Sequence, residues 1–213
     1  KKIETYQKMI NQNVFQCGST LREMYNFLHR YRERRVRLDQ IFKVDISTWI
    51  DKNQDAKIID KFKEILKENE EKFEKVGIIL DNCEFDDTGT SSRQEEIDDL
   101  RAQIVNTFMQ LSYNDKLIKR MVYRIRSLVE RIEESYDSIN NLTRIKRYTI
   151  DEICMYGRRA KKSDEDFQEV LDETGIDPNV FVETLRKIKN ARRKIRRVEL
   201  ETKMTGNELI FLL

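Results

Sequence analysis

Two clusters of basic side chains are the residues of this sequence best suited to chemistry with a partner. The first basic cluster, preceded by Arg22, consists of Arg30, Arg32, Arg34, Arg35 and Arg37. The second basic cluster consists of Arg186, Lys187, Lys189, Arg192, Arg193, Lys194, Arg196 and Arg197. Cations at these spacings lie within one Debye length of each other, about 8–10 Å, so they repel unless an anion screens them. A phosphate backbone or an acidic partner surface would provide that anion.

Pairing within the chain is the alternative interpretation of both clusters. Acidic residues in segments 68–74 and 163–173 could supply carboxylates, although an exposed ion pair contributes less than about 1 kcal/mol. For the second basic cluster, pairing and phosphate contact stay equally open. The first basic cluster slightly favours an external partner, because Glu33 is the only glutamate close to it. Neither cluster alternates with aromatic residues, so we expect contact with phosphates, with little sequence information, and no base stacking.

The sequence offers no pattern that is typical of catalysis. Its single histidine, His29, adjoins Arg30, and general acid–base chemistry would also need an oriented partner and a nucleophile. There is no Gly-rich phosphate loop, no His/Cys metal spacing and no nucleophile elbow. Asp86 and Asp87 lack the alternation of a calcium-binding loop. We therefore expect a non-enzymatic protein with no cofactor, no metal and no small-molecule substrate.

Composition favours amphipathic helices. Of the 213 residues, 38% are charged and 38% hydrophobic, with only 6 Gly and 1 Pro, too few turn residues for a sandwich, a barrel or a parallel sheet. The net charge is only +2, so any attraction to a polyanion must come from local clustering. Three cysteines without a metal spacing indicate reduced thiols in a cytoplasmic protein. No segment approaches the roughly 20 apolar residues of a membrane span.

Helical spacing of apolar residues predicts an all-α fold, an irregular bundle of long antiparallel helices. The first predicted helices cover residues 1–16 and 20–41, the second opened by a capping box of Thr20 and Glu23. A helical turn around Ile46, Trp49 and Ile50 and a helix over 58–76 follow. Segment 81–92 is acidic, small and polar, which predicts a mobile loop.

The second half of the chain predicts a helix over 97–111 and one over 113–147, about 50 Å long at about 1.5 Å per residue. Ser163 opens a short acidic helix that ends at Gly175. Asp177 and Pro178 then open the helix that carries the second basic cluster. A capping box of Thr205 and Glu208 begins a last helix over 205–213. We predict one domain over 1–213.

Three short motifs resemble the primary (housekeeping) sigma factors of bacterial RNA polymerase. Lys1-Lys2-Ile3-Glu4 resembles the K-R-I-E that ends their first conserved region, which 1–16 would represent. Leu100-Arg101-Ala102-Gln103 matches an L-R-A-Q in the non-conserved insert that follows, in a helix that also stands after an acidic stretch. Glu199, Glu201, Thr202, Met204 and Thr205 resemble the I-E-E-E-T-G-L-T that leads toward the second conserved region, with Lys203 in place of Gly. Residues 21–38 are similar, more weakly, to the first helix of the insert.

The resemblance covers nearly the whole chain in collinear order and implies a fragment that spans the insert. In this family the insert is helical, packs on the promoter-recognition domain near the upstream edge of the −10 element and faces the β′ subunit of the polymerase core. It implies that the first basic cluster contacts promoter DNA phosphates, and that the second does the same or docks β′ or a transcription regulator. The residues of the family that recognise the −10 element lie beyond Leu213, so none is carried over.

Without the resemblance to sigma factors, the residues are also compatible with two other functions. A helical scaffold or adaptor would bind only other proteins and would use the basic clusters for acidic surfaces. A stand-alone DNA-binding module would need a recognition helix with base-reading Asn, Gln and Arg, and no such helix is evident.

Overall fold

The apolar periodicity of the sequence is realised as helices in the computed structural model, which describes residues 2–43, 52–83, 90–146 and 148–212. The helices are α1 (Lys2–Gln16), α2 (Gly18–Arg32), a short 3-10 helix (Leu38–Gln40), α3 (Lys52–Cys83), α4 (Thr90–Phe108), α5 (Asp115–Lys146), α6 (Ile150–Arg159), α7 (Asp164–Thr174), α8 (Pro178–Thr202) and α9 (Gly206–Phe211). Within these ranges, extended pairing is limited to an isolated antiparallel bridge between Phe42 and Tyr113. The predicted all-α fold is confirmed.

The chain divides into two compact units. Unit 1 comprises Lys1–Leu128 and Glu199–Leu213, and unit 2 comprises Val129–Val198. One domain over 1–213 stays a prediction, because a division into contact units does not show whether the units fold separately. None of the described helices is both long enough and apolar enough to cross a membrane.

Unit 1 is built around aromatic side chains. The ring of Phe15 on α1 lies 5.1 Å from that of Phe108 on α4 and 5.2 Å from that of Tyr113. Phe42 meets Phe62 of α3 edge to face at 5.2 Å. Burial of large apolar side chains stabilises each by about 1.5–3 kcal/mol relative to exposure, so this cluster fixes the packing of α1, α3 and α4.

Unit 2 has its own core, formed by α6, α7 and α8 with residues of α5. Ile153, Val170, Phe181 and Ile188 are buried at its centre, and the ring of Tyr148 lies 5.2 Å from that of Phe181. A smaller cluster of Ile139, Ala191 and Ile195 joins α5 to α8.

The predicted helix ends that carry a hydroxyl, carboxylate or glycine cap in the second half of the chain are confirmed, whereas the helices predicted over 58–76 and 97–111 are Lys52–Cys83 and Thr90–Phe108. The Asp177 carboxylate accepts a hydrogen bond from the Asn179 N–H at 2.9 Å, next to Pro178 in the first turn of α8. Ser163 caps α7, which ends at Gly175 in the left-handed region with φ 66°. Thr205 and Glu208 form the expected capping box of α9. Hydroxyl, carboxylate and glycine caps act locally, so their spacing alone identifies them.

The helix predicted through Ile41 is wrong at both ends. It begins at Gly18, two residues before the predicted cap, and the Thr20 hydroxyl donates to the Val14 carbonyl at 2.5 Å. It ends at Arg32, and Arg34 adopts the left-handed region with φ 58°. The N–H of Arg34 bonds the Tyr31 carbonyl and that of Arg35 bonds the Arg30 carbonyl. This pattern is a Schellman motif, and arginine in its usual glycine position conceals it from the sequence.

The acidic loop predicted over 81–92 is wrong at both of its ends, which are helical. α3 continues to Cys83 and α4 begins at Thr90, because small hydroxyl residues favour helix N-termini as well as loops. Residues 84–89, at the centre of the predicted loop, lie outside the described residues. The helical turn predicted around Ile46, Trp49 and Ile50 also lies outside them.

Candidate polyanion-binding surface

The second basic cluster lies on α8, which places its side chains on the solvent side. Phe181, Leu185, Ile188, Ala191 and Ile195 bury one face of this helix in unit 2. The remaining surface between residues 186 and 197 carries eight cations and no acidic residue. Seven of them are exposed, namely Arg186, Lys187, Lys189, Arg192, Arg193, Lys194 and Arg197, whereas Arg196 is partly buried and has a partner of its own.

Several carboxylates of the two acidic segments pair with cations outside this cluster. Arg159 binds Asp166 at 3.7 Å, Glu173 at 2.8 Å, and Glu169. In segment 68–74, Glu68 binds Lys72 at 2.6 Å.

Among the described residues, no carboxylate lies within 4.0 Å of the seven exposed cations of α8. Ion pairs with other described residues therefore do not account for these seven cations.

The first basic cluster is arranged differently from the sequence interpretation. Arg35 lies 3.2 Å from Glu33 and Arg37 lies 2.8 Å from Asp39, and the sequence analysis overlooked Asp39 as a partner. Arg30 lies over the ring of Phe27 at 5.9 Å from its centroid.

Arg32 ends α2, while Arg34 and its successors follow the helix. Arg32 and Arg34 are exposed and, in the described part of the chain, make no ion pair. This cluster is therefore a turn with partly neutralised charge and not one helix face.

A groove of about 530 Å³ lies between α5 and α8 within unit 2, and the sequence analysis did not predict it. Its α5 wall consists of Arg131, Glu134, Ser135 and Ser138, and its α8 wall consists of Lys187, Asn190, Ala191, Lys194 and Arg197. Both walls follow the three- and four-residue spacing of a helix face. The basic surface of α8 thus continues onto α5 through Arg131.

Two of the three motifs that resemble sigma factors, the segments 100–103 and 199–205, are in contact within unit 1. Arg101, only 7% exposed, forms a bidentate pair with Glu208 at 2.8 and 3.1 Å and donates to the Lys203 carbonyl at 3.3 Å. Burial opposes ionisation of Glu208, but the bonds and charge of Arg101, with help from Thr205, outweigh it and lower the pKa of Glu208. Arg101 of the L-R-A-Q motif therefore binds the backbone of the segment 199–205 and the residue Glu208 that follows it.

A second set of contacts fixes the corner between α8 and α9. The Gly206 N–H donates to the Glu199 carboxylate at 2.9 Å. Glu201 accepts a bond from Arg124 at 2.7 Å, which raises the pKa of the Arg124 guanidinium. Lys203 lies between them in the left-handed region with φ 55°, the conformation for which the Gly of the family pattern is suited.

The residues considered for catalysis do not come together as a site. His29 is exposed on α2 and its ring lies 3.3 Å from Glu33. Cys17 and Cys154 are buried, and burial raises the pKa of the Cys17 thiol, which keeps it protonated. Over the described ranges, no three His, Cys, Asp or Glu side chains are placed to hold a metal ion. A comparison with the models of known protein families finds no match to this chain.

Proposed function

We propose that this chain is the non-catalytic insert of a bacterial primary sigma factor. It acts by docking beside the promoter-recognition domain, facing the β′ subunit of the RNA polymerase core and transcription regulators, and by contacting promoter DNA phosphates near the −10 element. The observation that carries the proposal is the exposed cationic surface of α8, which has no carboxylate partner among the described residues.

The electrostatics of α8 support phosphate contact. From Arg186 to Arg197 the helix rises about 16 Å at about 1.5 Å per residue, and B-DNA carries one phosphate charge per about 1.7 Å of its axis. Several cations can therefore meet phosphates at once, and each contact releases condensed counterions. The net charge of the chain is only +2, so attraction of this kind is directional and confined to one surface.

The contacts between the sigma-like motifs support the family part of the proposal. Arg101, from the L-R-A-Q motif, binds Glu208 and the Lys203 carbonyl, and these residues lie in and beyond the segment resembling I-E-E-E-T-G-L-T. Motifs of one family are expected to be joined in space when they serve one structural purpose. The left-handed backbone at Lys203 also supplies a physical reason for Gly in that pattern.

Salt dependence of binding to duplex DNA tests the phosphate contact. For the wild-type chain, we expect the logarithm of affinity to fall with the logarithm of salt concentration by about 0.9 per phosphate contact. A variant with Arg186, Lys189 and Arg193 each changed to Gln should bind more weakly and with a smaller slope.

The matched control carries Lys61, Lys67 and Lys75 changed to Gln on α3, where these lysines are exposed. Removal of three cations takes the net charge from +2 to −1 in both variants. Equal weakening in the two variants, or absence of binding at low salt, would contradict phosphate contact by α8.

Binding to purified RNA polymerase core tests the family part and separates it from the scaffold alternative. A sigma-factor insert should associate with the core enzyme or its isolated β′ subunit, measured by fluorescence anisotropy of the labelled chain. A scaffold that binds only other proteins should bind neither DNA nor the core. That double negative result would refute the proposal.

A further inference from the structure

We infer that the groove between α5 and α8 binds a small polyphosphate anion, such as triphosphate or the triphosphate tail of a nucleotide. The groove shares Lys187, Lys194 and Arg197 with the cationic surface of α8 proposed to meet duplex DNA, and it adds Arg131, Ser138 and Asn190. The inference depends on the composition, shape and position of the groove in unit 2.

The composition of the groove favours an anion with several charges. Four cations line it, namely Arg131, Lys187, Lys194 and Arg197, against the single carboxylate of Glu134. In the described part of unit 2, none of these four cations has an acidic partner within 4.0 Å. A groove lined by one sign of charge between low-dielectric walls concentrates the field and attracts the opposite ion.

The neutral polar groups of the groove match phosphate oxygens. Ser138 and Asn190 line opposite walls and make no hydrogen bond with other described residues, so a hydroxyl and an amide N–H are available as donors. Arginine adds a planar fork that binds two phosphate oxygens at once. An isolated carboxylate could satisfy only one of the four cations, whereas a chain of phosphates can reach several.

Small residues at the base of the groove keep it open. Ser135 and Ala191 are buried at 4% and 6% exposure, and Ala191 belongs to the apolar cluster beneath, with Ile139 and Ile195. The Ser135 hydroxyl is occupied by the Arg131 carbonyl at 2.7 Å, so it shapes the base and leaves binding to the walls. A larger side chain at either position would reduce the volume of about 530 Å³.

The size of the groove selects a small or narrow ligand. Its volume lies within the range of about 300–1,000 Å³ that is typical of small-molecule sites. Packed helix axes lie only about 8–10 Å apart, so a rigid DNA duplex can touch the rim but cannot enter. A flexible triphosphate chain can lie along the groove between Lys187, Lys194 and Arg131.

Calorimetric titration of the full chain with inorganic tripolyphosphate, at about 150 mM salt, tests this inference. This salt concentration reduces long-range attraction, so direct contacts with the groove residues should dominate the affinity. Arg131→Gln should weaken tripolyphosphate binding about tenfold, as expected for loss of one charge-assisted contact. Glu134→Gln should strengthen it, because the only carboxylate of the groove is removed, and a gain of this kind cannot come from misfolding.

Control variants separate the groove from the DNA-binding face. Arg193 lies on α8 outside the groove lining, so Arg193→Gln should weaken tripolyphosphate binding clearly less than Arg131→Gln does, while it weakens binding to duplex DNA. Arg131→Gln should leave the salt slope for duplex DNA unchanged.

Further titrations identify the source of the phosphate chain. A nucleoside triphosphate that binds more tightly than tripolyphosphate would identify a nucleotide as the ligand, and equal binding would identify the phosphate chain alone. Single orthophosphate should bind more weakly than either.

Two outcomes would overturn the inference. One is absence of tripolyphosphate binding, and the other is equal weakening by Arg131→Gln and Arg193→Gln, which would indicate diffuse attraction to the whole helix. Either result leaves the DNA-binding proposal to its own test, since that proposal rests on the salt dependence of duplex binding. Loss of DNA binding with retained tripolyphosphate binding would refute the proposed function and leave the groove site intact.

Discussion

Arg34 holds a backbone conformation that L-residues other than glycine adopt at an energetic cost. Its φ of 58° places it in the left-handed region at the end of α2, where a side chain costs about 1 kcal/mol. The Arg34 side chain is exposed and has no ion pair among the described residues. We therefore predict that Arg34→Gly raises the free energy of unfolding by about 1 kcal/mol, measured by urea denaturation.

Arg32→Gly is the matched control for this change. Arg32 is the last residue of α2 and has helical geometry, so glycine should lower the free energy of unfolding by up to about 1 kcal/mol. If both variants shift stability in the same direction, the left-handed position is not the cause.

Gly18 and Gly77 both adjoin Lys203 but differ in what a methyl group would meet. A Cβ at Gly18 would lie 3.0 Å from the Thr202 carbonyl oxygen and 2.9 Å from Lys203 Cγ, whereas one at Gly77 would meet the flexible end of Lys203, with Nζ at 2.8 Å. We predict that Gly18→Ala destabilises the chain by about 1–3 kcal/mol. Gly77→Ala should change stability by less than about 1 kcal/mol, because Nζ can move and alanine favours the helix.

Thermal and chemical denaturation of the two single variants measure this difference. In combination with Lys203→Ala, the side-chain part of the clash at Gly18 is removed while the carbonyl contact persists, so rescue should be partial. Full rescue would show that the Thr202 carbonyl does not constrain the position.

Among the helix caps, the sequence allowed a prediction only where the capping position holds a residue type that commonly occupies it. Ser163, Gly175 and Thr205 were identified because their side chains, or the lack of one, satisfy the helix end locally. Arg34 and Lys203 were not, because their left-handed backbone is imposed by packing around the helix end, and nothing in the residue type signals it.

At the scale of elements, α8 carries a conflict between stability and binding. Its exposed cations recur three and four residues apart, and like charges at this spacing destabilise a helix. Arg193→Glu would place a carboxylate between Lys189 and Arg197. We predict a gain of about 0.5–1 kcal/mol in the free energy of unfolding, with weaker binding to DNA.

The gain should shrink at high salt, since screening reduces both attraction and repulsion. Thermal unfolding at low and high salt measures it, and Arg193→Gln, which removes the cation without adding an acid, should give an intermediate value. A lower melting temperature for Arg193→Glu would show that the cations of α8 do not repel in the folded chain.

The pair between Arg101 of α4 and Glu208 of α9 makes part of the stability depend on pH. The pKa of Glu208 is lowered from its ordinary value of 4.5, so the folded state binds its proton less readily than the unfolded state. The stabilisation is therefore complete above pH 4.5 and is lost as pH falls through the lowered pKa. We predict that Glu208→Gln is less stable than the wild type at neutral pH and that the gap narrows on acidification.

Melting temperatures between about pH 3 and pH 7 test this prediction, since the linkage acts over that window. Glu64→Gln is the control, because Glu64 is exposed on α3 and has no ion pair in the described ranges. A gap that stays constant with pH would show that Glu208 stabilises the corner through packing alone.

Faces of single helices could be predicted at this scale, but grooves between helices could not. The buried and exposed sides of α8 follow from the spacing of its own apolar residues. The groove requires knowledge that Arg131 and Ser138 on α5 lie beside Lys187 and Lys194 on α8. Tertiary packing brings these residues together although they are distant in sequence, so no local sequence pattern predicts that they are neighbours.

At the scale of the whole molecule, the helical class was predictable, whereas α6 (Ile150–Arg159) was missed and the grouping of the helices was not predicted. Composition and periodicity indicated an all-α chain, and α3, α5 and α8 lie where the apolar stripes predict. The division into unit 1 and unit 2 depends on which helices exchange contacts. The net charge of +2 also gives no sign of the basic surface on α8, because acidic residues on other helices offset its positive charges.

Unit 1 is discontinuous along the chain, and this has a consequence for how it forms during synthesis. Its residues up to Leu128 leave the ribosome first, whereas Glu199–Leu213 follow after all of unit 2. Because synthesis proceeds at about 5–20 residues per second, Glu208 is made several seconds after Arg101, its partner. The Leu212 carbonyl is made still longer after Asn13, which donates a hydrogen bond to it. Until Glu208 is synthesised the Arg101 guanidinium is hydrated, so unit 1 can complete its packing around this pair only after the end of the chain has emerged.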